Sequence, residues 1–273
     1  MIHKEKCIIV GSRGAVGRSV QNALWKTYNV LRHDIEKAEY TVEPAFAQNM
    51  IMHVCIPYSD KFEMIVSDYN QHYKSKFIII HSTVKPGTTK ALSEKGINVV
   101  HSPIIFKDTD YKSSHFFKKM IGFDDALTAT KADIHLKPCY NTALVAGSEN
   151  TEFSDLCIGL YGMASRAITF EIGKMFENSG LNYSSMKELL SYYNMGFAAM
   201  NIPDKMLYNS WPDMNQDDYR TKLIELVPED VRSSFFTLAQ KSFDIQRKKW
   251  IKRINKFPIN SVSHEEVLDG HKG

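Results

Sequence analysis

The 273-residue sequence has no long apolar run, no closely spaced cysteine pair and almost no excess of one charge. No stretch approaches the roughly 18 apolar residues that a membrane-spanning helix needs, so no membrane partner is expected. Before Gly11 the only apolar stretch is Cys7-Ile-Ile-Val10, too short for a signal peptide, and a cytoplasmic chain is the expectation. Lysine and arginine number 34 against 31 aspartates and glutamates, a net charge of +3. That is too mild for a nucleic-acid partner. The four cysteines, Cys7, Cys55, Cys139 and Cys157, form no CxxC. Small buried thiols in a reducing compartment are expected. No His or Cys pair carries zinc-ligand spacing, and His264-Glu-Glu-Val-Leu lacks the second His of a metalloprotease helix, so no metal site is expected.

What is present is ordinary globular composition, with 43% hydrophobic and 24% charged residues. The first half alternates short apolar runs with helical stretches. Residues 7–10, 29–32, 51–56, 77–81 and 98–101 read as strands. Helices are expected from Gly14 to about Trp25 (apolar face Val16, Val20, Ala23, Leu24), from Ser59-Asp60 (Phe62, Ile65, Val66, Tyr69), and from Pro86-Gly87-Thr88 to Lys95. Strands joined by helical crossovers make a parallel sheet buried on both faces. From Thr151 to about Asn178 the pattern is helical and free of proline, closed by Ser179-Gly180. Ser185 with Glu188 reads as a capping box opening another helix, residues 201–218 as a looser stretch, and Pro228-Glu-Asp as the start of a last helix to about Lys256. The fold expected is α/β: a Rossmann-type, mostly parallel sheet domain over 1–147, then an all-α domain over 148–273.

The run from Cys7 to Arg18 is strand, glycine turn, helix. Gly14 and Gly17 have the spacing of the second and third glycines of GxGxxG, while Ser12 takes the first position with Gly11 before it. Such a turn lets backbone approach a pyrophosphate and lays a helix N-terminus against it. Asp34 follows Gly14 by 20 residues, at the end of the next strand. A carboxylate there accepts hydrogen bonds from a ribose diol and repels a 2′-phosphate, which favours NAD, although Arg32 and His33 lie beside it. The cofactor-binding residues expected are Gly11, Ser12, Arg13, Gly14, Ala15, Val16, Gly17, Asp34, Pro57, Ser82 and Thr83.

Four stretches resemble the 6-phosphogluconate dehydrogenase-like superfamily, and within it the UDP-glucose/GDP-mannose dehydrogenase family: residues 11–17, Val54-Cys-Ile-Pro57, His81-Ser-Thr-Val-Lys-Pro-Gly-Thr-Thr89 and Ser102-Pro103. Asn150-Thr-Glu-Phe153 and the helix after it are similar to the start of that family's central helix, and the likeness spans about residues 5–195. The glycine loop is also similar to that of prephenate dehydrogenases. The resemblance implies an NAD-dependent oxidoreductase that pairs as a homodimer through the central helix. The chain departs from the pattern at its chemistry. Ile104 stands where the family has a glutamate after Ser-Pro, Asp155 and Gly159 where it has a lysine and an asparagine, and no cysteine follows residue 195. The chain also ends before the family's third domain. Without the thiolate, the family's oxidation through a thiohemiacetal is not expected.

The catalytic candidates are Thr83, His101 and Asp155. Thr83 and His101 stand just past strands, on the edge where open α/β sheets bind ligands. Thr83 would hydrogen-bond substrate or cofactor, and His101 would serve as a base near neutral pH. Asp155, a possible base on the central helix, is with Glu152 more simply read as a solvated first-turn acid. Residues 247–256 pack six positive charges into ten positions around Trp250, Ile251 and Ile254, a basic helix that could meet an anionic substrate. The function expected is oxidation of a CH–OH group on a small or nucleotide-linked substrate. The alternative is an NAD-binding, catalytically inactive regulatory homologue.

Overall fold

A computed structural model describes residues 4–35, 48–104, 118–200 and 223–256. Seven strands form one sheet in the order β2-β1-β3-β4-β5-β6-β7. They are β1 (Lys6–Val10), β2 (Asn29–His33), β3 (Ile51–Val54), β4 (Phe77–Ile80), β5 (Val99–His101), β6 (Lys118–Phe123) and β7 (Asn141–Ala146). All neighbours pair in parallel except β5 and β6, where His101 faces Gly122 in antiparallel register. β1 has β2 on one side and β3 on the other, so the strand order reverses there, and the glycine turn leaves the sheet at that reversal. The α/β, Rossmann-type expectation is met.

The central strands are buried at nearly every residue, His53 of β3 included, because both faces are covered. Alternation sorts them. Cys7, Ile9, Ile51, Phe77, Ile79 and Val100 pack under α1 (Ala15–Leu24) and α4 (Ala126–Leu136). Ile8, Val10, Met52, Val54, Ile78, Ile80 and Val99 pack under α2 (Phe62–Tyr73) and α3 (Thr88–Glu94). Each fully buried isoleucine contributes about 1.5–3 kcal/mol relative to exposure. In α1 the buried positions are Val20, Ala23 and Leu24, with Val16 half-buried, as the periodicity predicts. α2 begins at Phe62 and turns Phe62, Val66 and Tyr73 inward.

The segment 118–146 carries two strands and a helix that periodicity did not reveal. β6 opens on two lysines, and α4 is alanine- and threonine-rich with only a weak apolar stripe. Its start is signalled by Asp125, whose side chain accepts from the Thr128 N–H at 2.7 Å.

α5 (Ser148–Asn178) is followed by α6 (Tyr183–Ala199), α7 (Leu223–Leu226), a 3-10 turn at Glu229–Val231 and α8 (Ser234–Lys256). α6 therefore starts two residues before the expected Ser185 cap, and Pro228 opens the short turn instead of the last helix. The chain divides into two compact units. One holds residues 1–159 with 225–229, the other 160–224 with 230–273, so the division falls inside α5. In the second unit Leu160, Met163, Ala164 and Ala167 are buried, and the Ser242 hydroxyl of α8 donates to Glu171 of α5 at 2.9 Å. The polar stretch 201–218 and His264 lie outside the described residues. So do the side chains of the basic run, apart from exposed Lys248. No helix among the described residues is long and apolar enough to cross a membrane.

Gly17 tests how tightly α1 lies on the sheet. A Cβ there would strike the Gly11 carbonyl oxygen and meet Ser12 Cα at 2.8 Å. Gly17→Ala is expected to destabilise the sheet unit by about 1–3 kcal/mol in urea titrations, the usual range for overpacking. Gly173→Ala, in α5 with open space around it, is expected to stabilise by up to about 1 kcal/mol.

Candidate functional site

The end of β1 and the start of α1 build the glycine turn. Gly11 adopts φ +81°, and a Cβ there would lie 2.7 Å from the Cys55 carbonyl oxygen, so the position excludes any side chain. The N–H groups of Gly11 and Ser12 both donate to the His33 carbonyl, at 3.0 and 3.2 Å. The Arg13 N–H donates to Asp34 Oδ2 at 3.0 Å. The sequence-predicted loop and acid are thus brought together. No side chain caps the N-terminus of α1, and its first turn carries no acid, while Gly14 is open. The Ser12 hydroxyl is buried without a hydrogen-bond partner among the described residues. Open helix N–H groups, an orphaned hydroxyl and a positioned carboxylate are what a dinucleotide requires.

The other candidates sit past β3, β4 and β5. Pro57 is exposed and Thr83 half-buried. The Ser82 hydroxyl donates to the Ile56 carbonyl at 2.6 Å, tying the two loops. Gly87 is the residue capping α3, so Thr83 is not a helix cap. His101 is 0% exposed. Its Nε2 lies 3.2 Å from the Ser82 carbonyl and its Nδ1 2.9 Å from the Thr151 hydroxyl. Burial drives its pKa down to about 3, against a smaller upward effect of the Ser82 hydrogen bond. Both nitrogens are thus engaged inside the protein, one with the Ser82 carbonyl and one with Thr151 of α5.

The expectation for Glu152 is corrected. It is 0% exposed, not solvated, and accepts from the Gly87 N–H at 2.6 Å and the Thr89 N–H at 2.8 Å. It clamps the His81–Thr89 loop to α5. Burial raises its pKa, opposed by those hydrogen bonds. Asp155, one turn along, is buried too, and its charge acts on Lys119.

Lys119 is the residue that sequence reasoning missed. It is 4% exposed, and its Nζ donates to the carbonyls of Ser102 at 2.8 Å and Pro103 at 3.0 Å. Burial pulls its pKa down to about 7, with Cys55 and Asp155 pulling back up. Because β6 runs antiparallel to β5, this amine arrives at the carboxyl ends of the parallel strands. Two adjacent lysines at the start of a run with three apolar residues gave no signal of burial. The position of the family's glutamate is held by Ile104, which packs on the core.

A chain of histidines continues from the same carbonyl. His81 Nδ1 lies 2.6 Å from the Ser102 oxygen, His53 Nδ1 2.9 Å from His81 Nε2, and His135 Nε2 3.0 Å from His53 Nε2. A carbonyl only accepts, so His81 carries its proton on Nδ1. Neutral His81 then accepts at Nε2, His53 donates from Nδ1 and accepts at Nε2, and His135 donates from Nε2. Burial is the largest influence holding all three below the ordinary histidine range.

This fold is α/β, a doubly wound sheet with its glycine turn at the strand reversal. No family model matches the chain, and no curated protein matches it in sequence. Solved structures do. The UDP-D-MAnNAc dehydrogenase of Pyrococcus horikoshii superposes with a TM-score of 0.68 at 14% identity, over 92% of this chain and 72% of that one. The 3-hydroxyisobutyrate dehydrogenase of Mycobacterium tuberculosis gives 0.61 at 12% identity, over 89% and 94%. A UDP-glucose dehydrogenase of Pyrobaculum islandicum gives 0.63 at 12%, over 92% and 69%. At these identities the shared property is the fold.

The buried histidines set the acid response. Unfolded, each protonates near pH 6.5; folded, His101 does so only near 3 and His135 near 4. Between those limits the unfolded state binds more protons, so stability is complete above 6.5 and falls as pH drops. The slope is about 1.4 kcal/mol per pH unit for each such histidine. Urea titrations with a chelator present are expected to show this fall, and His101→Asn to remove one histidine's share of the slope.

Proposed function

We propose that the chain is an NAD-dependent oxidoreductase of a CH–OH group, acting on a small or nucleotide-linked and anionic substrate. The observation that carries it is the turn at 11–17, where among the described residues α1 has no side-chain cap and Ser12 Oγ no partner, and Asp34 is fixed by the Arg13 N–H. The pyrophosphate lies against Gly11, Ser12, Arg13, Gly14 and the N–H groups of Ala15 and Val16, with Gly17 allowing the close approach. Asp34 takes the adenosine ribose and disfavours a 2′-phosphate. Pro57, Ser82 and Thr83 line the nicotinamide side. The bound dinucleotide supplies hydride acceptance. The chain itself contributes Thr83 as a hydrogen-bonding group, and the Lys119 amine, which burial brings down to about 7, as a proton-holding group.

Asp34→Ala is expected to weaken NAD binding more than tenfold in titration calorimetry, a charged hydrogen bond contributing about 1.5–3 kcal/mol. Unchanged affinity overturns the assignment. NADH formation over a panel of hydroxyacids, alcohols and nucleotide sugars tests the reaction, and binding with no turnover on any of them would favour the regulatory reading.

The active form we propose is a homodimer built on the helical unit. Large apolar side chains are exposed on all three of its long helices: Ile168 and Met175 on α5, Leu189, Tyr192 and Met195 on α6, Leu238 on α8. Such surface needs a cover, and two-fold pairing is the commonest one. Light scattering is expected to give the mass of two chains at micromolar concentration, and a single-chain mass rejects the dimer.

A further inference from the structure

The sheet face that carries Cys7 and His53 also receives His135 from α4. One donor atom from each of the three lies within 4.8 Å of the other two, and all three residues are buried. The group is invisible to spacing rules because its members come from β1, β3 and α4. Its second sphere is already arranged. His53 Nδ1–H is committed to His81, and His81 Nδ1–H to the Ser102 carbonyl, so the His53 Nε2 lone pair points at His135 Nε2. Metal-bound histidines are held this way: the far ring nitrogen donates to a second group, which fixes the tautomer and raises the basicity of the ligating nitrogen. The His135 ring is held by Tyr28, with centroids 4.3 Å apart, and by the edge of Phe77 at 6.3 Å. The Tyr28 hydroxyl donates to the His135 carbonyl at 2.6 Å.

We propose that Cys7, His53 and His135 form a buried site for one soft d10 cation, copper(I) or zinc. Thiolate and imidazole are the ligands such ions select. Tetrahedral zinc with these bond lengths separates its donors by about 3.3–3.6 Å. The imidazole nitrogens, 3.0 Å apart, need only open by a few tenths of an ångström, and the thiol closes by side-chain rotation. Binding moves no electrons. Cys7 Sγ loses its proton to solvent, and His135 carries its proton on Nδ1 instead of Nε2. His135 Nδ1 has no partner among the described residues in either state. Charge favours the monovalent ion: one thiolate neutralises copper(I), no carboxylate belongs to the group, and the field of Lys119 already bears on His53.

The test uses the whole chain, stripped with a chelator and reductant. It is titrated anaerobically with copper(I) buffered by a competing ligand and, in parallel, with zinc, and bound metal is counted by mass spectrometry after desalting. The expected result is one ion per chain, one sulfur and two nitrogen neighbours by X-ray absorption, and a raised Tm. Cys157→Ser, which removes the exposed thiol, is expected to keep the ion. Cys7→Ala and His135→Phe, checked for fold by circular dichroism, are expected to lose at least tenfold in affinity. One ion of either metal lost in Cys7→Ala supports the site, and the metal retained tells a monovalent from a divalent occupant. A folded wild-type chain that retains neither ion overturns it, as does an absorption spectrum without a sulfur neighbour, which decides the matter even where Cys7→Ala does not fold.

Discussion

The Ser102 carbonyl oxygen is the point on which the polar interior turns. It accepts from His81 Nδ1 and from Lys119 Nζ, while the N–H of the same residue donates to Ile80 at 2.7 Å. A carbonyl has two acceptor positions, and both are filled. One donor is an amine that burial brings near neutrality, and the other begins a histidine chain whose proton positions follow by necessity. In a dry sheet core an unmatched donor or acceptor costs about 1–3 kcal/mol. The chain Ser102–His81–His53–His135 therefore fixes which rotamers β3, β4 and α4 can present to one another.

The same economy of fit governs the glycine turn. Gly11 is excluded from carrying a side chain by the Cys55 carbonyl, and Gly17 by the Gly11 carbonyl. The two contacts press α1 onto the crossing between β1 and β3. Once that helix is seated, no side chain among the described residues caps its first N–H groups, and Asp34 is held by the Arg13 N–H of the loop. Tight packing and an open anion-binding end are thus one arrangement.

Much of the sheet was legible because a fully buried strand is a short apolar run between turn residues, as in Phe77-Ile-Ile-Ile. The glycine turn and Asp34 were legible because their chemistry needs local spacing. β6, α4 and β7 were not: Lys118-Lys119 reads as surface, and the stripe of α4 is diluted by alanine and threonine. His101 and Glu152 were placed in the right neighbourhood but given the wrong surroundings, since single residues carry no sign of how deeply they will be buried. The Cys7, His53 and His135 group joins three elements remote in sequence, so only the tertiary fold could assemble it.

The fate of α5 shows how one helix can join structure to site. Thr151 braces His101, Glu152 clamps the N–H groups of Gly87 and Thr89, and Asp155 sets its charge against Lys119, all within five residues. Three separate segments of the sheet unit are thereby tied to the first turns of one helix. Asp155 is a buried acid on this helix, and its charge acts on the buried amine of β6. A lone charge of either sign in this interior would neutralise by shifting its pKa. Burial pulls Lys119 toward neutrality while Cys55 and Asp155 pull it back up, and the two carbonyls of Ser102 and Pro103 hold the amine at that balance.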